Sequence, residues 1–220
     1  MTRHPIALAC ALLACTPALA APVTMHNFKY GYEAMHSAQF GTLYTGALLG
    51  EYNGGSTNSF MTFCNDLYQA FSWNVTYTDY TVVANGAPHG LSISQADMLG
   101  KLYTTAGPIN NHNKSVAFQL AVWELTQDTQ PGSLLAGSFS IDGGGKASQL
   151  SLAQSWLTYA TTAGSQNNYV VTRLYSPSAQ DFLIATPLNP TPTSGKVPEP
   201  ATLLLAAAAL GIMAWRRRAL

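Results

Sequence analysis

The segment from Ser115 to Leu125, SVAFQLAVWEL, constrains the fold of this 220-residue chain more than any other. Its spacing predicts a helix over residues 113–128 that is apolar on nearly every side. A helix of that kind belongs in the interior of a domain. Gln119 lies in the middle of the run, and a buried amide without hydrogen-bond partners costs on the order of 1–3 kcal/mol. We therefore expect a central helix with specific partners around Gln119.

Other segments predict a mixed domain around this helix. Residues 94–97, SQAD, have the pattern of a capping box that opens a helix over residues 94–105, and a third helix is expected over residues 146–161. Aromatic and β-branched residues, which are typical of strands, are enriched in residues 26–32, 75–83, 168–175 and 181–185. Strands, then helices, then strands favour an α+β fold class: a strand-rich domain with a small helical insertion.

The N-terminus has the three parts of a secretory signal peptide. Arg3 gives a positive start, residues 6–13 are apolar, and residues 18–20, ALA, form a small-x-small cleavage site. The apolar run is too short to span a bilayer of about 30 Å at about 1.5 Å per residue. We therefore expect signal peptidase to remove residues 1–20. The alternative is a lipoprotein signal, LLAC, in which Cys15 is the lipidated residue.

The C-terminus carries a second targeting pattern. Residues 197–200 read VPEP, residues 201–215 are an uncharged Ala/Leu-rich run, and three arginines follow. The run gives about 22 Å of a single hydrophobic helix, a marginal membrane span, and the arginines should stay cytoplasmic. This order resembles the PEP-CTERM sorting signal of Gram-negative bacteria. The residues that carry the resemblance are Val197, Pro198, Glu199, Pro200, Arg216, Arg217 and Arg218.

The resemblance at residues 197–220 implies that an exosortase recognises the chain while its tail sits transiently in the inner membrane. It also implies removal of the tail and delivery to the cell surface or extracellular matrix. An ordinary single-pass anchor is the alternative.

Residues 21–186 then form one extracellular domain, followed by a Pro-rich linker over residues 187–196. The domain has more acidic than basic side chains, so we expect no nucleic-acid partner. We also expect no cofactor and no enzyme activity.

Cys64 is the cysteine that remains once Cys10 and Cys15 leave with the signal peptide. An odd cysteine in an oxidising compartment needs an explanation. One is a buried thiol that packs as a small hydrophobic residue. A lone thiolate without clustered histidines lacks the four-ligand pattern of zinc, so we expect no metal site. A covalent explanation involves Gln119, because a glutamine carboxamide beside a cysteine thiolate can lose ammonia and become an internal thioester. Burial would shelter that bond from water.

Two motifs resemble the thioester domain of bacterial surface adhesins. The first is an aromatic-Cys-x-Asp segment, and the second is Gln-x-Ala-Val-Trp on the predicted helix. Their residues are Phe63, Cys64, Asp66, Gln119, Ala121, Val122 and Trp123. The resemblance implies a Cys64–Gln119 thioester that acylates an amine or hydroxyl group of an unknown target and so tethers the bacterium covalently. Asn65 and Phe118 depart from the family pattern, which has a hydrophobic residue and a threonine there, and we expect Asn65 to expose the cysteine loop.

Acyl transfer also needs an oxyanion stabiliser and a route for protons. His112 and His89 are candidates for proton handling, and Asp66 either orients the cysteine loop or simply forms a turn. A secreted cysteine hydrolase is a different reading, in which Cys64 acts with a histidine and an Asn or Asp. A third hypothesis is a non-covalent binding or matrix-structural module. Such a module would bind through aromatic residues on an exposed sheet, such as Trp73, Tyr77 and Tyr80.

Overall fold

The structure is a computed structural model that describes residues 20–52 and 59–189. The chain divides into two units, Met1–Leu188 and Asn189–Leu220, and almost all described residues belong to the first. The predicted signal peptide up to residue 19, the sorting tail and most of the predicted linker lie outside the described residues. Within the described ranges, no helix combines the length and the apolar character needed to cross a membrane.

The described part of the first unit contains two antiparallel sheets. In chain order its strands are β1 (Ala21–Phe28), β2 (Glu33–Ser37), β3 (Gly41–Thr45), β4 (Leu48–Tyr52), β5 (Ser59–Thr62), β6 (Thr76–Val83), β7 (Gly143–Gly144), β8 (Tyr169–Tyr175) and β9 (Phe182–Pro187). The larger sheet has the strand order β5-β4-β1-β6-β8-β9, and the smaller has the order β3-β2-β7. Strand β1, which begins directly after the predicted cleavage site, therefore lies inside the larger sheet.

The two edges of the larger sheet meet just beyond the end of β5. Cys64 forms an isolated antiparallel bridge with Phe182, the first residue of β9. Leu183 N–H donates to the Phe63 carbonyl at 3.1 Å, and Asn65 N–H donates to the Asp181 carbonyl at 3.2 Å. These bonds pair backbone groups that an open edge would leave exposed. The sheet is therefore nearly closed, and we call the junction at residues 63–65 the seam.

Three helices pack beside the sheets: α1 (Ile93–Ala106), α2 (His112–Gln127) and α3 (Ala147–Thr161). They pack against one another, and every residue of α2 from Ser115 to Leu125 is buried, as the apolar run predicts. The Ser115 hydroxyl accepts a hydrogen bond of 2.6 Å from Ala47 N–H, which fixes the start of α2 against the turn between β3 and β4. The expected α+β class, strand-rich with a small helical insertion, is confirmed.

Two boundaries differ from the sequence-based expectation. Helix α1 begins at Ile93, because Ser92 and not Ser94 is its N-cap; Ser92 and Gln95 exchange two bonds of 3.1 Å in a capping box. The expected strand over residues 26–32 instead starts at Ala21 and ends at Phe28. Gly31, which has a φ of 76°, lies in the left-handed region and turns the chain there. The other predicted helices and strands agree with the structure to within a few residues.

Candidate functional site

The structure brings the two predicted motifs together at the seam. Cys64 N–H donates to Gln119 Oε1 at 3.0 Å, and Gln119 Nε2 donates to the Cys64 carbonyl at 2.7 Å. Gln119 is 1% exposed and Cys64 is 4% exposed. The side-chain amide of Gln119 therefore pairs with both backbone groups of Cys64, as the peptide group of a neighbouring strand would. This pairing supplies the specific partners expected for a buried glutamine.

An aromatic contact also joins the two motifs. The rings of Phe63 and Phe118 lie 4.4 Å apart between centroids, and both side chains are fully buried. Phe118, which replaces the threonine of the family pattern, thus adds a contact between the two motifs. Ala121 and Val122 are also fully buried and belong to the core.

The residues after Cys64 form a closed loop, which corrects one expectation. Asn65 is 1% exposed, so it does not open the cysteine loop to solvent. With its amide oriented to suit its neighbours, Asn65 Nδ2 donates to the Asp181 carbonyl at 3.1 Å, and its oxygen accepts from Arg173 Nε at 3.0 Å. Asp66 Oδ1 accepts from Tyr68 N–H at 2.8 Å, so Asp66 forms a turn that shapes the same loop.

The sulfur of Cys64 lies in a buried and polar environment. Its S–H group donates to the Asp66 carbonyl at 2.9 Å. Burial raises the pKa of the thiol to about 12, and the nearby N–H group of Trp123 acts in the opposite direction. The thiol is therefore almost wholly protonated at neutral pH, and a bare thiolate is disfavoured here.

Gln180 is a site residue that the sequence does not reveal. Its Nε2 group donates to Cys64 Sγ and, at 2.7 Å, to the Asp66 carbonyl. The Gln180 carbonyl accepts a bond of 2.6 Å from the buried hydroxyl of Tyr80. Gln180 lies in the β8–β9 turn, more than 110 residues from Cys64 along the chain, and only closure of the sheet brings them together. No local motif surrounds it that would signal this role.

A cavity of about 330 Å³ reaches both Cys64 and Gln119. Its described lining includes Trp123, Gln180 and Gln69 but no charged side chain and no histidine. A connected row of aromatic rings adjoins it, which we call the aromatic row. Its members, each within 5.3 Å of the next between centroids, are Tyr44, Tyr32, Phe28, Trp73 and Phe71.

The aromatic residues named from the sequence are only partly at the surface. Tyr80 is fully buried, so its expected place on an exposed sheet is wrong. Burial follows from its position in β6, where its ring stacks on Phe182 at 5.7 Å. Trp73 is 39% exposed, and Tyr77 is half-buried. Tyr32 and Tyr44, which are more than half exposed, were not expected at the site.

The two candidate histidines lie elsewhere. His112 pairs through Nδ1 with the Tyr30 carbonyl at 3.0 Å and through Nε2 with Glu33 at 3.1 Å. His89 stacks on Tyr175 at 4.5 Å between ring centroids. Neither is a hydrogen-bond partner of Cys64 or Gln119 or lines the cavity, so the structure does not bring these two candidates for proton handling to the site. In residues 20–52 and 59–189, no three His, Cys, Asp or Glu side chains come together as metal ligands.

Comparisons with known proteins give a family model that matches the tail and a similar solved structure. Residues 196–218 match the family model described as the PEP-CTERM protein-sorting motif. The motif implies export of the chain to the cell surface, with an exosortase as its processing partner. A comparison with curated proteins gives no match. Among solved structures, the N-terminal domain of the Streptococcus pyogenes pilus tip adhesin Cpa is similar at 13% sequence identity. The similarity covers 79% of this chain and 97% of that chain, with a TM-score of 0.46.

Proposed function

We propose that the exported domain attaches covalently to its target through an internal thioester between Cys64 and Gln119. The observation that carries the proposal is the pairing of the Gln119 amide with the Cys64 backbone inside the cavity. In the forming step, the Cys64 sulfur attacks Cδ of Gln119. A C–S bond forms, the C–N bond breaks, and the amide nitrogen leaves as ammonia with the thiol proton.

The geometry around the side-chain oxygen of Gln119 also supports this chemistry. Negative charge collects on Gln119 Oε1 in the tetrahedral intermediate, and Cys64 N–H already donates to that atom at 3.0 Å. A preorganised donor of this kind is what acyl transfer requires. The thioester carries no charge, so its burial does not carry the cost that a buried thiolate would.

The proposed reaction with the target uses each domain once. An amine or hydroxyl group attacks the Gln119 acyl carbon, the sulfur leaves, and the target stays bound to the protein. Because the acyl group is consumed, the domain is a tether and not an enzyme. We infer that signal peptidase frees the N-terminus at Ala21, and that the tail passes through the inner membrane before an exosortase removes it.

Peptide mapping of the exported protein tests the thioester directly. Digestion should give one cross-linked pair of peptides containing Cys64 and Gln119, lighter by one ammonia than the two peptides together. Methylamine should separate the pair and add to Gln119. Cys64→Ala and Gln119→Ala variants should show neither effect. Recovery of two separate peptides of full mass, with a thiol that alkylates after denaturation, would rule out the thioester.

A second candidate function is non-covalent binding, and the aromatic row favours it. Tyr32, Tyr44 and Trp73 are partly exposed next to the cavity, and such rings often anchor ligands. The two functions differ in their need for the sulfur. A Cys64→Ala protein should keep non-covalent binding to cells or matrix but lose attachment that survives boiling in detergent.

A further inference from the structure

When the proposed thioester opens, the Cys64 sulfur is the leaving group. The Cys64 sulfur must depart with the bonding electron pair, yet the residue is 4% exposed and burial opposes a charged thiolate there. A thiolate without donors would therefore be a poor leaving group. If the thioester forms as proposed, N–H groups beside the sulfur must assist that departure.

Gln180 offers the first donor to the sulfur. Its Nε2 group contacts Cys64 Sγ, and the same group donates to the Asp66 carbonyl at 2.7 Å. The Gln180 backbone is held by Tyr80, whose hydroxyl donates to the Gln180 carbonyl at 2.6 Å. The adjacent seam bonds fix β9 against residues 63–65. The β8–β9 turn that carries the donor is therefore held in place before the reaction by β6 and by the seam.

Trp123 offers the second donor. It lies four residues after Gln119, on the same face of α2, and lines the same cavity as Cys64. Its Nε1 atom is buried and has no hydrogen-bond partner among the described residues. A buried indole N–H usually has an acceptor. The Trp123 N–H also acts to lower the pKa of the Cys64 thiol, so it lies near enough to the sulfur to be available as its donor.

We propose that Gln180 and Trp123 form a pair of N–H donors that stabilises the Cys64 sulfur as it leaves, and that this pair sets the rate at which the thioester opens. A neutral amine attacks Cδ of Gln119, a C–N bond forms and the C–S bond breaks. The electron pair passes to Sγ, where the two N–H groups meet it. The proton lost by the amine then reaches Sγ, giving the thiol that donates to Asp66.

The test compares variants of the exported protein that remove one donor each. Gln180→Met keeps the length of the side chain without an N–H, and Trp123→Phe keeps an aromatic ring. Peptide mapping measures the fraction of thioester, and mass spectrometry follows its aminolysis by methylamine. After opening, the rate of Cys64 alkylation by iodoacetamide is measured against pH. We expect both variants to open at least tenfold more slowly and to alkylate only at higher pH.

Gln127→Met is the matched control. Gln127 Nε2 donates to the Asn65 carbonyl at 2.7 Å, so the substitution removes a glutamine donor from the same loop without touching the sulfur. It should leave the opening rate and the alkylation profile within about twofold of the parent. If the role of Gln180 were purely structural, Gln180→Met would change the stability of the domain but not the pH dependence of Cys64 alkylation.

The outcomes separate this inference from the proposed function. If the parent forms no thioester, the proposed function fails. The donor pair is then still tested by the alkylation profile of its free thiol. If the thioester forms, and Gln180→Met and Trp123→Phe open it at the parental rate with unchanged profiles, the donor pair is refuted. Should Gln180→Met fail to fold, Trp123→Phe decides by the same two measurements.

Discussion

Replacing Gln119 by leucine should destabilise the domain even where no thioester can form. The suitable background is Cys64→Ala, because both hydrogen bonds of Gln119 go to backbone atoms of residue 64 and survive that change. Leucine fills a similar volume but leaves the N–H and C=O of residue 64 without partners in a buried place. Each such group costs about 1–3 kcal/mol, and the more apolar side chain returns roughly 1 kcal/mol. The net loss should be about 1–5 kcal/mol.

Urea unfolding followed by tryptophan fluorescence measures this loss. At an m-value of about 2 kcal/mol/M, a loss of about 3 kcal/mol lowers the midpoint by about 1.5 M. Gln154→Leu is the matched control, because Gln154 also pairs with two backbone groups: it accepts from Leu134 N–H at 3.3 Å and donates to the Gly132 carbonyl at 2.6 Å.

Gln154 is half-buried, so water can replace its bonds. Its loss should cost less than about 1 kcal/mol. Equal midpoints for Gln119→Leu and Gln154→Leu in the Cys64→Ala background would refute the view that residue 64 depends on Gln119.

Three further predictions concern charge and helix capping. Burial raises the pKa of Glu124 from 4.5 to about 7, so its contribution to stability is full below about pH 4.5 and is lost as the pH rises through 7. Glu124→Gln should therefore match the parent at pH 4 and exceed it by up to about 3 kcal/mol at pH 8 in urea unfolding; a constant difference would contradict this. Ser92→Ala should lower stability by about 1 kcal/mol in thermal unfolding, and Ser94→Ala by less than about 0.5 kcal/mol. Gln119→Glu in the Cys64→Ala background should be destabilised at pH 8 and recover as the pH falls, because only the protonated carboxyl can donate to residue 64. A pH-independent loss would argue against that contact.

The sequence predicts the centre of this domain better than its surroundings. The apolar run of α2 requires burial, and the sequence locates α1 and α3 to within a few residues because helix formation depends largely on local sequence. Strands β2 to β5 are short, at four or five residues each, and their segments mix glycine, alanine and serine with few β-branched residues. Such strands are stabilised mainly by pairing with neighbours, and that information is not local.

The same distinction applies to the candidate site. Cys64 and Gln119 lie in motifs that can be recognised, and the structure places them in contact. Gln180 contacts the sulfur only because β9 closes the sheet against residues 63–65, so nothing near it in the chain marks it out. Asn65 illustrates the converse. A polar residue in a motif suggests exposure, but partners from β8 and the β8–β9 turn satisfy it in the interior.

The bond from Gln119 Nε2 to the Cys64 carbonyl also bears on the choice of target. On the proposed chemistry, that nitrogen leaves as ammonia, and the buried carbonyl loses a donor at 2.7 Å. An amine target restores an N–H at the same position, whereas an alcohol gives an ester and water gives a carboxylate, neither of which can donate. An unpaired buried carbonyl costs about 1–3 kcal/mol. We therefore expect amines to be favoured over hydroxyl groups at this site. At pH 8, where a free carboxyl is ionised, methylamine should open the thioester to a more stable protein than hydrolysis does.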